Sequence, residues 1–303
     1  MADDIPFDRS FDDPPGQLRE VSPLIRRMVA GNSGPFTFTG TCTYVVGRGE
    51  VAVLDPGPDD PGHVERLLAA LAGERVSHIV VTHTHRDHSP ASRALQAATG
   101  APVVGCAPHT ASRPLAAGES NRLDASADRD YAPDRITAEG DAIRGPGWTL
   151  TAVETPGHTA NHLAFGLEEE GALFSGDHVM AWSTTIVAPP DGAMGDYMVS
   201  LAKLQARDDR VYWPGHGGPV VNPSRFVRAL VHHRRQREAS ILDRVAAGDG
   251  LIAEIVPKLY EGLAPALHGA AALSVFAHLE DLARRGVVAT EGLPSLAGRY
   301  RKA

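Results

Sequence analysis

The chain has 303 residues and a mass of 32.1 kDa, a length that suggests about two domains. Hydrophobic residues make up 43% of it and charged residues 22%, proportions that exclude a disordered or fibrous chain. With 29 basic and 37 acidic residues the net charge is −8, which argues against sequence-independent binding to nucleic acid through a basic surface. No apolar run reaches the ~20 residues of a membrane span. The first residues are acidic, so we expect a cytoplasmic protein with no membrane partner.

Residues 1–20 are rich in Asp and Pro, and we expect them to form an extended N-terminal arm. From residue 21 onward, strand patterns alternate with helical periodicity, which predicts a layered α/β core. Residues 107–147 carry little periodicity and are predicted to be rich in loops. The predicted strands cover 41–46, 51–54, 78–81, 103–104, 148–154, 163–167, 172–175 and 211–213, and the predicted helices cover 63–72, 91–99 and 197–204.

The sequence pattern changes near residue 222, where Asn222 is suited to cap a helix that begins at Pro223. We expect residues 223–303 to form a second, mostly helical domain. Its last helix is apolar on the face that would have to read bases, so DNA is not an expected partner. The predicted helices are 223–247, 251–260 and 270–285, followed by a short strand at 287–289.

The strongest chemical pattern is a run of four potential metal ligands directly after a buried strand. His83, His85, Asp87 and His88 fall within six residues. A loop at the end of a strand can turn such side chains toward one point, and ligand sites in layered α/β folds commonly lie at strand ends. Imidazoles together with a carboxylate suit Zn²⁺, and iron or manganese also fits such a set.

Three more potential ligands stand in the same local context. His158, Asp177 and His216 each occupy a turn that contains glycine and follows a predicted strand. Glycine lets backbone segments approach closely at such turns. The sequence therefore predicts one metal centre built from four loops.

These residues carry a family resemblance. The motifs H-x-H-x-D-H (83–88), T-P-G-H-T (155–159), S-G-D-H (175–178) and P-G-H-G (214–217) resemble, in order and separation, those of the metallo-β-lactamase superfamily. The resemblance implies an αββα sandwich, two mixed sheets packed face to face and flanked by helices, as a catalytic domain over 21–222. Residues 177–185 and the tail resemble the beta-lactamase-like protein 2 branch, which implies a winged-helix-like domain over 223–303.

The resemblance also assigns roles. It implies two zinc ions, with Asp177 bridging both and Asp87 and Asp177 as the catalytic carboxylates. Asp55 would accept a hydrogen bond from a metal-bound histidine, or it would cap the turn that begins there. One zinc ion would be held by His83, His85 and His158, and the other by Asp87, His88 and His216.

Three functions are compatible with this ligand set. The first is a binuclear-zinc hydrolase of a small-molecule substrate, in which a metal-bridging hydroxide attacks an ester, thioester, lactone or lactam carbonyl. The second is a metal-dependent endoribonuclease with single-stranded RNA as partner, and the third is a non-enzymatic metal-binding regulator. The acidic net charge favours the first. On the long C-terminal helix, His232 and His233 are candidates for the substrate cleft, and the basic run 234–237 could meet an anionic substrate.

Overall fold

Two β-sheets form the centre of the molecule in the computed structural model, which describes residues 5–116, 119–121, 126–264 and 267–303. In the first sheet, β1 to β4 are antiparallel neighbours and β4 to β7 are parallel neighbours, in chain order. The strands are β1 (Arg19–Glu20), β2 (Ile25–Val29), β3 (Cys42–Arg48), β4 (Glu50–Leu54), β5 (Arg75–Val81), β6 (Val103–Gly105) and β7 (Arg135–Ile136).

The second sheet has five strands in the order β12-β11-β10-β9-β8, with only the pair β11 and β12 parallel among them. Both sheets are therefore mixed, as predicted. The strands are β8 (Ala142–Gly145), β9 (Trp148–Glu154), β10 (Leu163–Leu167), β11 (Ala172–Gly176) and β12 (Val211–Pro214).

The two sheets pack face to face because successive side chains of a strand point to opposite faces. Phe165 and Phe174 point toward the first sheet, where the ring centroid of Phe174 lies 5.1 Å from that of Tyr44. Their neighbours Ala164 and Leu173 point the other way, into the core beneath the helices of the second sheet. Helices α1 (Pro61–Ala70) and α2 (Ala91–Thr99) cover the first sheet, and α3 (Met194–Gln205) and α4 (Pro223–Ala246) cover the second. The predicted αββα arrangement is confirmed.

The C-terminal part has a core of its own, to which Phe276 and Leu279 of its last helix contribute. Helix α4 takes part in two cores, since Val227 packs beneath the second sheet and Ile241 packs in the C-terminal core. The predicted winged-helix arrangement is confirmed. The domain limits 1–20, 21–222 and 223–303 stay a prediction. The C-terminal elements are α5 (Ile252–Leu259), α6 (His268–Arg284) and the antiparallel pair β13 (Val288–Thr290) and β14 (Tyr300–Lys302).

The structure adds strands that the sequence pattern did not predict. Strands β7 and β8 lie within the stretch 107–147 that was predicted to be loops, and β2 and β14 had no prediction. In the N-terminal arm, residues 1–4 lie outside the described residues, and Phe7 and Phe11 pack against the two cores of the sandwich. Across the described part of the chain, helices fall short of the length and hydropathy that crossing a membrane demands.

Candidate metal centre

The predicted ligands lie in four loops, each of which begins where a strand ends. These loops follow β5, β9, β11 and β12. Gly215 allows the last of them to approach the others, since a Cβ atom there would lie 2.5 Å from Asp177 Oδ1 and 2.6 Å from His88 Cε1. Any larger residue would push these two side chains out of the centre.

One group of side chains gathers around His85 Nδ1. His83 Nε2 lies 3.1 Å from this atom and His158 Nε2 lies 3.0 Å from it. Asp177 completes the group, with Oδ2 at 3.7 Å from His158 Nε2. The ligand atoms of these four buried residues lie within 4.8 Å of one another, close enough to share one cation.

A second group consists of Asp87, His88 and His216. The Nε2 atoms of the two histidines are 3.3 Å apart, and Asp87 Oδ2 lies 3.3 Å and 3.2 Å from them. Asp177 reaches this group as well, with Oδ1 at 3.6 Å from His88 Nε2 and Oδ2 at 3.3 Å from His216 Nε2. The structure thus brings all seven predicted ligands together, with Asp177 between the two groups.

Backbone carbonyls fix which ring nitrogen of two histidines faces the centre. His158 Nδ1 donates to the Ile186 carbonyl at 2.7 Å, and His216 Nδ1 donates to the Gly40 carbonyl at 3.2 Å. A carbonyl only accepts, so each Nδ1 carries a proton and each Nε2 faces the centre. His85 is turned the other way, because its Nδ1 faces the centre and its buried Nε2 has no hydrogen-bond partner among the described residues.

Asp55 orients histidines of both groups. Its carboxylate accepts from His88 Nδ1 at 2.9 Å and from the backbone N–H and hydroxyl of Thr82 at 2.8 Å each. Since the Thr82 hydroxyl donates to Asp55, it accepts from His83 Nδ1 at 2.9 Å, which leaves His83 Nε2 unprotonated. Asp55 also lies within 4.8 Å of the ligand atoms of His83 and His88, but these three donors already occupy its oxygens. Its φ of 47° marks backbone strain of the kind that persists at functional sites.

The side chains present fit a divalent cation. The lone pairs of His83 and His158 both face His85 Nδ1, and a single proton on that atom would satisfy one of them at a time. Asp177 Oδ1 is buried and accepts no hydrogen bond in the described structure. Buried acceptors without donors are costly, and a cation removes that cost at all of these atoms together.

The pKa values follow the same division into two groups. Burial lowers the pKa of His85 to about 3 and also lowers the pKa of His158, which keeps both imidazoles neutral. Burial also acts on His216, but the adjacent carboxylates of Asp177 and Asp87 outweigh it and raise its pKa to about 10. Without a cation, the carboxylates retain a proton on their histidine partner, and metal binding would release it.

Two side chains that hold the ligands, Thr41 and Thr82, were not predicted from the sequence. The Thr41 hydroxyl donates to Asp87 Oδ2 at 3.2 Å. His162 also holds a ligand, since its Nε2 accepts the backbone N–H of Asp177 at 3.1 Å. Thr82 connects Asp55 to His83 as described above. Thr82 directly precedes the ligand run, a position that could have pointed to it, whereas Thr41 carries no local pattern.

A cavity of about 350 Å³, the catalytic cleft, opens onto the ligands and has apolar walls from Phe36, Met180 and Ile186. A second cavity of about 350 Å³ shares those three residues and is lined by His233. Burial, followed by the charge of Arg234, lowers the pKa of His233 to about 4, so its ring is neutral at neutral pH. His232 is exposed and lines neither cavity.

Comparison with known proteins identifies the family. The model of the metallo-beta-lactamase superfamily matches residues 36–216, which include all seven ligands. The chain belongs to this superfamily. A second model, the beta-lactamase associated winged helix domain, matches residues 252–295. The protein is therefore a metallo-beta-lactamase-like hydrolase with a winged-helix domain, and its His and Asp groups indicate a divalent metal site.

Among curated relatives, an atrochrysone carboxyl ACP thioesterase of Aspergillus fumigatus is 32% identical over 240 residues, 77% of this chain and 68% of that protein. A beta-lactamase-like protein 2 homolog of Caenorhabditis elegans is 29% identical over 278 residues, 89% of this chain and 88% of that one. A metallo-beta-lactamase family protein from Thermus thermophilus, 24% identical, superposes with a TM-score of 0.73 over 94% of this chain and 100% of its own. A beta-lactamase domain protein from Burkholderia ambifaria, 21% identical, superposes with a TM-score of 0.76 over 98% of this chain and 97% of its own. These two structures support the fold.

Proposed function

We propose that this protein is a binuclear-zinc hydrolase whose substrate is a small-molecule thioester. The observation that carries the proposal is the position of Asp177 between two groups of three ligands, at the floor of a cleft with apolar walls. Structural zinc sites are normally closed by four side chains, whereas catalytic sites keep a coordination position open. Seven ligands shared between two ions leave such positions, which argues against a purely regulatory metal site.

In this proposal Asp177 would be a ligand to both ions. Zinc is our choice of metal because of the imidazole and carboxylate ligands, with iron or manganese as the alternatives. The first ion is assigned to His83, His85 and His158, and the second to Asp87, His88 and His216.

Bound zinc ions would supply Lewis acidity and a hydroxide nucleophile at neutral pH. The chain's own residues position and move protons around that chemistry. Asp87 is the proton acceptor next to the substrate, held in place by the Thr41 hydroxyl. Asp55 fixes the rings of His88 and His83, and the apolar walls of the cleft hold the acyl group and exclude water.

The choice of a thioester among carbonyl substrates rests on the relatives and on the cleft. Two relatives named as atrochrysone carboxyl ACP thioesterases are 32% and 33% identical to this chain. The apolar cleft suits an acyl chain, and the net charge of −8 suits a small molecule better than RNA.

A substrate panel on zinc-loaded protein tests the proposal. The panel contains acyl thioesters, the matching oxygen esters, a lactone, a β-lactam and single-stranded RNA. We expect the highest kcat/KM for thioesters, lost in Asp87→Asn and retained in His178→Ala, which lies next to a ligand but outside the centre. Cleavage of RNA with no thioester turnover would favour the endoribonuclease instead, and no turnover of any substrate by fully loaded protein would favour the regulator.

A further inference from the structure

The second cavity, which we call the substrate groove, lies between the two domains and continues the catalytic cleft. The two cavities share Phe36, Met180 and Ile186, so a molecule whose reacting carbonyl lies at the ligands can extend into the groove without a break. One wall comes from the segment 182–186 of the catalytic domain. The opposite wall comes from the C-terminal helices and includes Arg237, Tyr260 and Leu263.

Two arginines on this wall lack carboxylate partners. Arg237 donates to the Leu259 carbonyl at 3.2 Å, and its guanidinium carbon lies 4.2 Å from the ring centroid of Tyr260. Arg234, only 4% exposed, donates to the Thr185 carbonyl, and its Nε has no acceptor. Neither arginine makes an ion pair with any residue that the structure describes.

Carboxylates in this part of the chain are engaged with other arginines. Farther along α4, Arg244 pairs with Asp249, and the nearby Glu238 is already paired with Arg285. A buried or half-buried cation without a counter-charge is destabilising unless a ligand supplies one. The groove therefore places two positive charges, unmatched within the described chain, in a protein whose net charge is −8.

We propose that the groove binds the distal part of the thioester substrate and that Arg237 pairs with an anionic group there, a phosphate or a carboxylate. The planar guanidinium can bind either anion with two parallel hydrogen bonds while it stacks on Tyr260. The neutral ring of His233 lies on the same wall and offers a further hydrogen bond. The inference rests on the proposed thioesterase function and adds a specificity-determining residue in the C-terminal domain.

The anion has two chemical sources, which the experiment separates. A phosphate would lie on the thiol side, as in a phosphopantetheine thioester, and a carboxylate would lie on the acyl side. Four butyryl or glutaryl thioesters, each with pantetheine or phosphopantetheine as the thiol, vary the two charges independently. We expect wild type to prefer one anionic form, and Arg237→Gln to raise KM for that form at least about tenfold while kcat and the KM of the neutral thioester stay within about twofold.

Two matched variants complete the design. Arg237→Lys keeps the charge and should recover part of the lost affinity. Arg235→Gln makes the same charge change on the same helix at an exposed position outside the groove, and should leave all four substrates unchanged. Equal KM changes for neutral and anionic thioesters, or no charge preference in wild type, would overturn the proposal.

A binding measurement separates failure of this inference from failure of the thioesterase function. The S-methyl ethers of phosphopantetheine and pantetheine carry no free thiol, and glutaramate and butyramide, which differ by one carboxylate, form the matching acyl-side pair. Titration calorimetry should show one anion of these pairs binding more tightly than its neutral partner, and Arg237→Gln should abolish the difference. If no thioester is turned over and this difference persists, the anion site stands and the reaction is misassigned. If thioesters are turned over and no difference is found, the anion site is wrong.

Discussion

Asp55→Asn is the substitution that tests the organisation of the centre most sharply, because Asp55 is not assigned as a ligand. The change is nearly isosteric and removes the negative charge. The Asp55 carboxylate accepts three hydrogen bonds, two from Thr82 and one from His88. The residue is only 1% exposed to solvent. An asparagine oxygen could still accept some of them, but its NH2 group would face a donor.

The expected cost follows from those contacts. A hydrogen bond to a charged group contributes about 1.5–3 kcal/mol, and a buried donor left unpaired is penalised further. With part of the network retained, we expect the free energy of unfolding of the metal-free protein to fall by about 2–4 kcal/mol. Because His88 and, through Thr82, His83 lose their fixed orientation, zinc affinity should fall by about 10–100-fold.

Urea unfolding of the metal-free protein and chelator competition for zinc measure the two effects separately. Asp209→Asn is the matched control. This substitution removes another mostly buried carboxylate, which is bound to Arg207 at 2.7 and 2.8 Å. Asp209 lies before β12, at the opposite end of the strand from the ligand His216. The control should lose stability and keep its zinc affinity. Unchanged zinc affinity in Asp55→Asn would refute the role given to Asp55.

Three further predictions concern the bridge, the cleft and the core. Asp177→Ala should lower bound metal and reduce thioester turnover more than about tenfold. In His178→Ala the bound metal and the turnover should both be retained, since this ring packs on Tyr197 and its nitrogens have no hydrogen-bond partner among the described residues. Elemental analysis and kinetics measure the two quantities. Equal losses of metal and turnover in the two variants would mean that the wrong side chain was assigned. Phe36→Ala should raise KM for acyl thioesters without changing the Tm, because this cleft residue is 58% exposed; a lower Tm would show that Phe36 supports the fold instead. Phe174→Ala should lower the free energy of unfolding by about 3–5 kcal/mol, since the ring is fully buried between the sheets; urea denaturation checks this, and a loss below about 1 kcal/mol would contradict the packing described.

The sequence predicted the candidate ligands because each is encoded locally, in a short motif after a strand. Strands β9 and β10 were also predicted to the residue, as regular runs bounded by turns. Strand β2 was missed because Arg26 and Arg27 interrupt its apolar pattern. Arg27 is 5% exposed because Asp13 pairs with it at 2.6 Å and Phe11 stacks on its guanidinium, and both partners come from the N-terminal arm.

The groove and the residues that orient the ligands depend on contacts between distant parts of the chain. Thr41 reaches Asp87 across 46 positions of sequence, and Arg234 reaches the Thr185 carbonyl across 49. No spacing rule encodes such contacts, although the basic run itself is visible in the sequence. Only the packing of α4 against the segment 182–186 shows that His233 lines the groove and that His232 does not.

The proposed function requires a centre of two metal ions that hydrolyses thioesters. The most direct measurement is a titration of metal-free protein with zinc, in which bound metal per chain and hydrolysis of a butyryl thioester are followed together. We expect saturation at about two ions per chain, with turnover reaching its maximum as the second site fills. Saturation at one ion, or two bound ions without thioester hydrolysis, would contradict it.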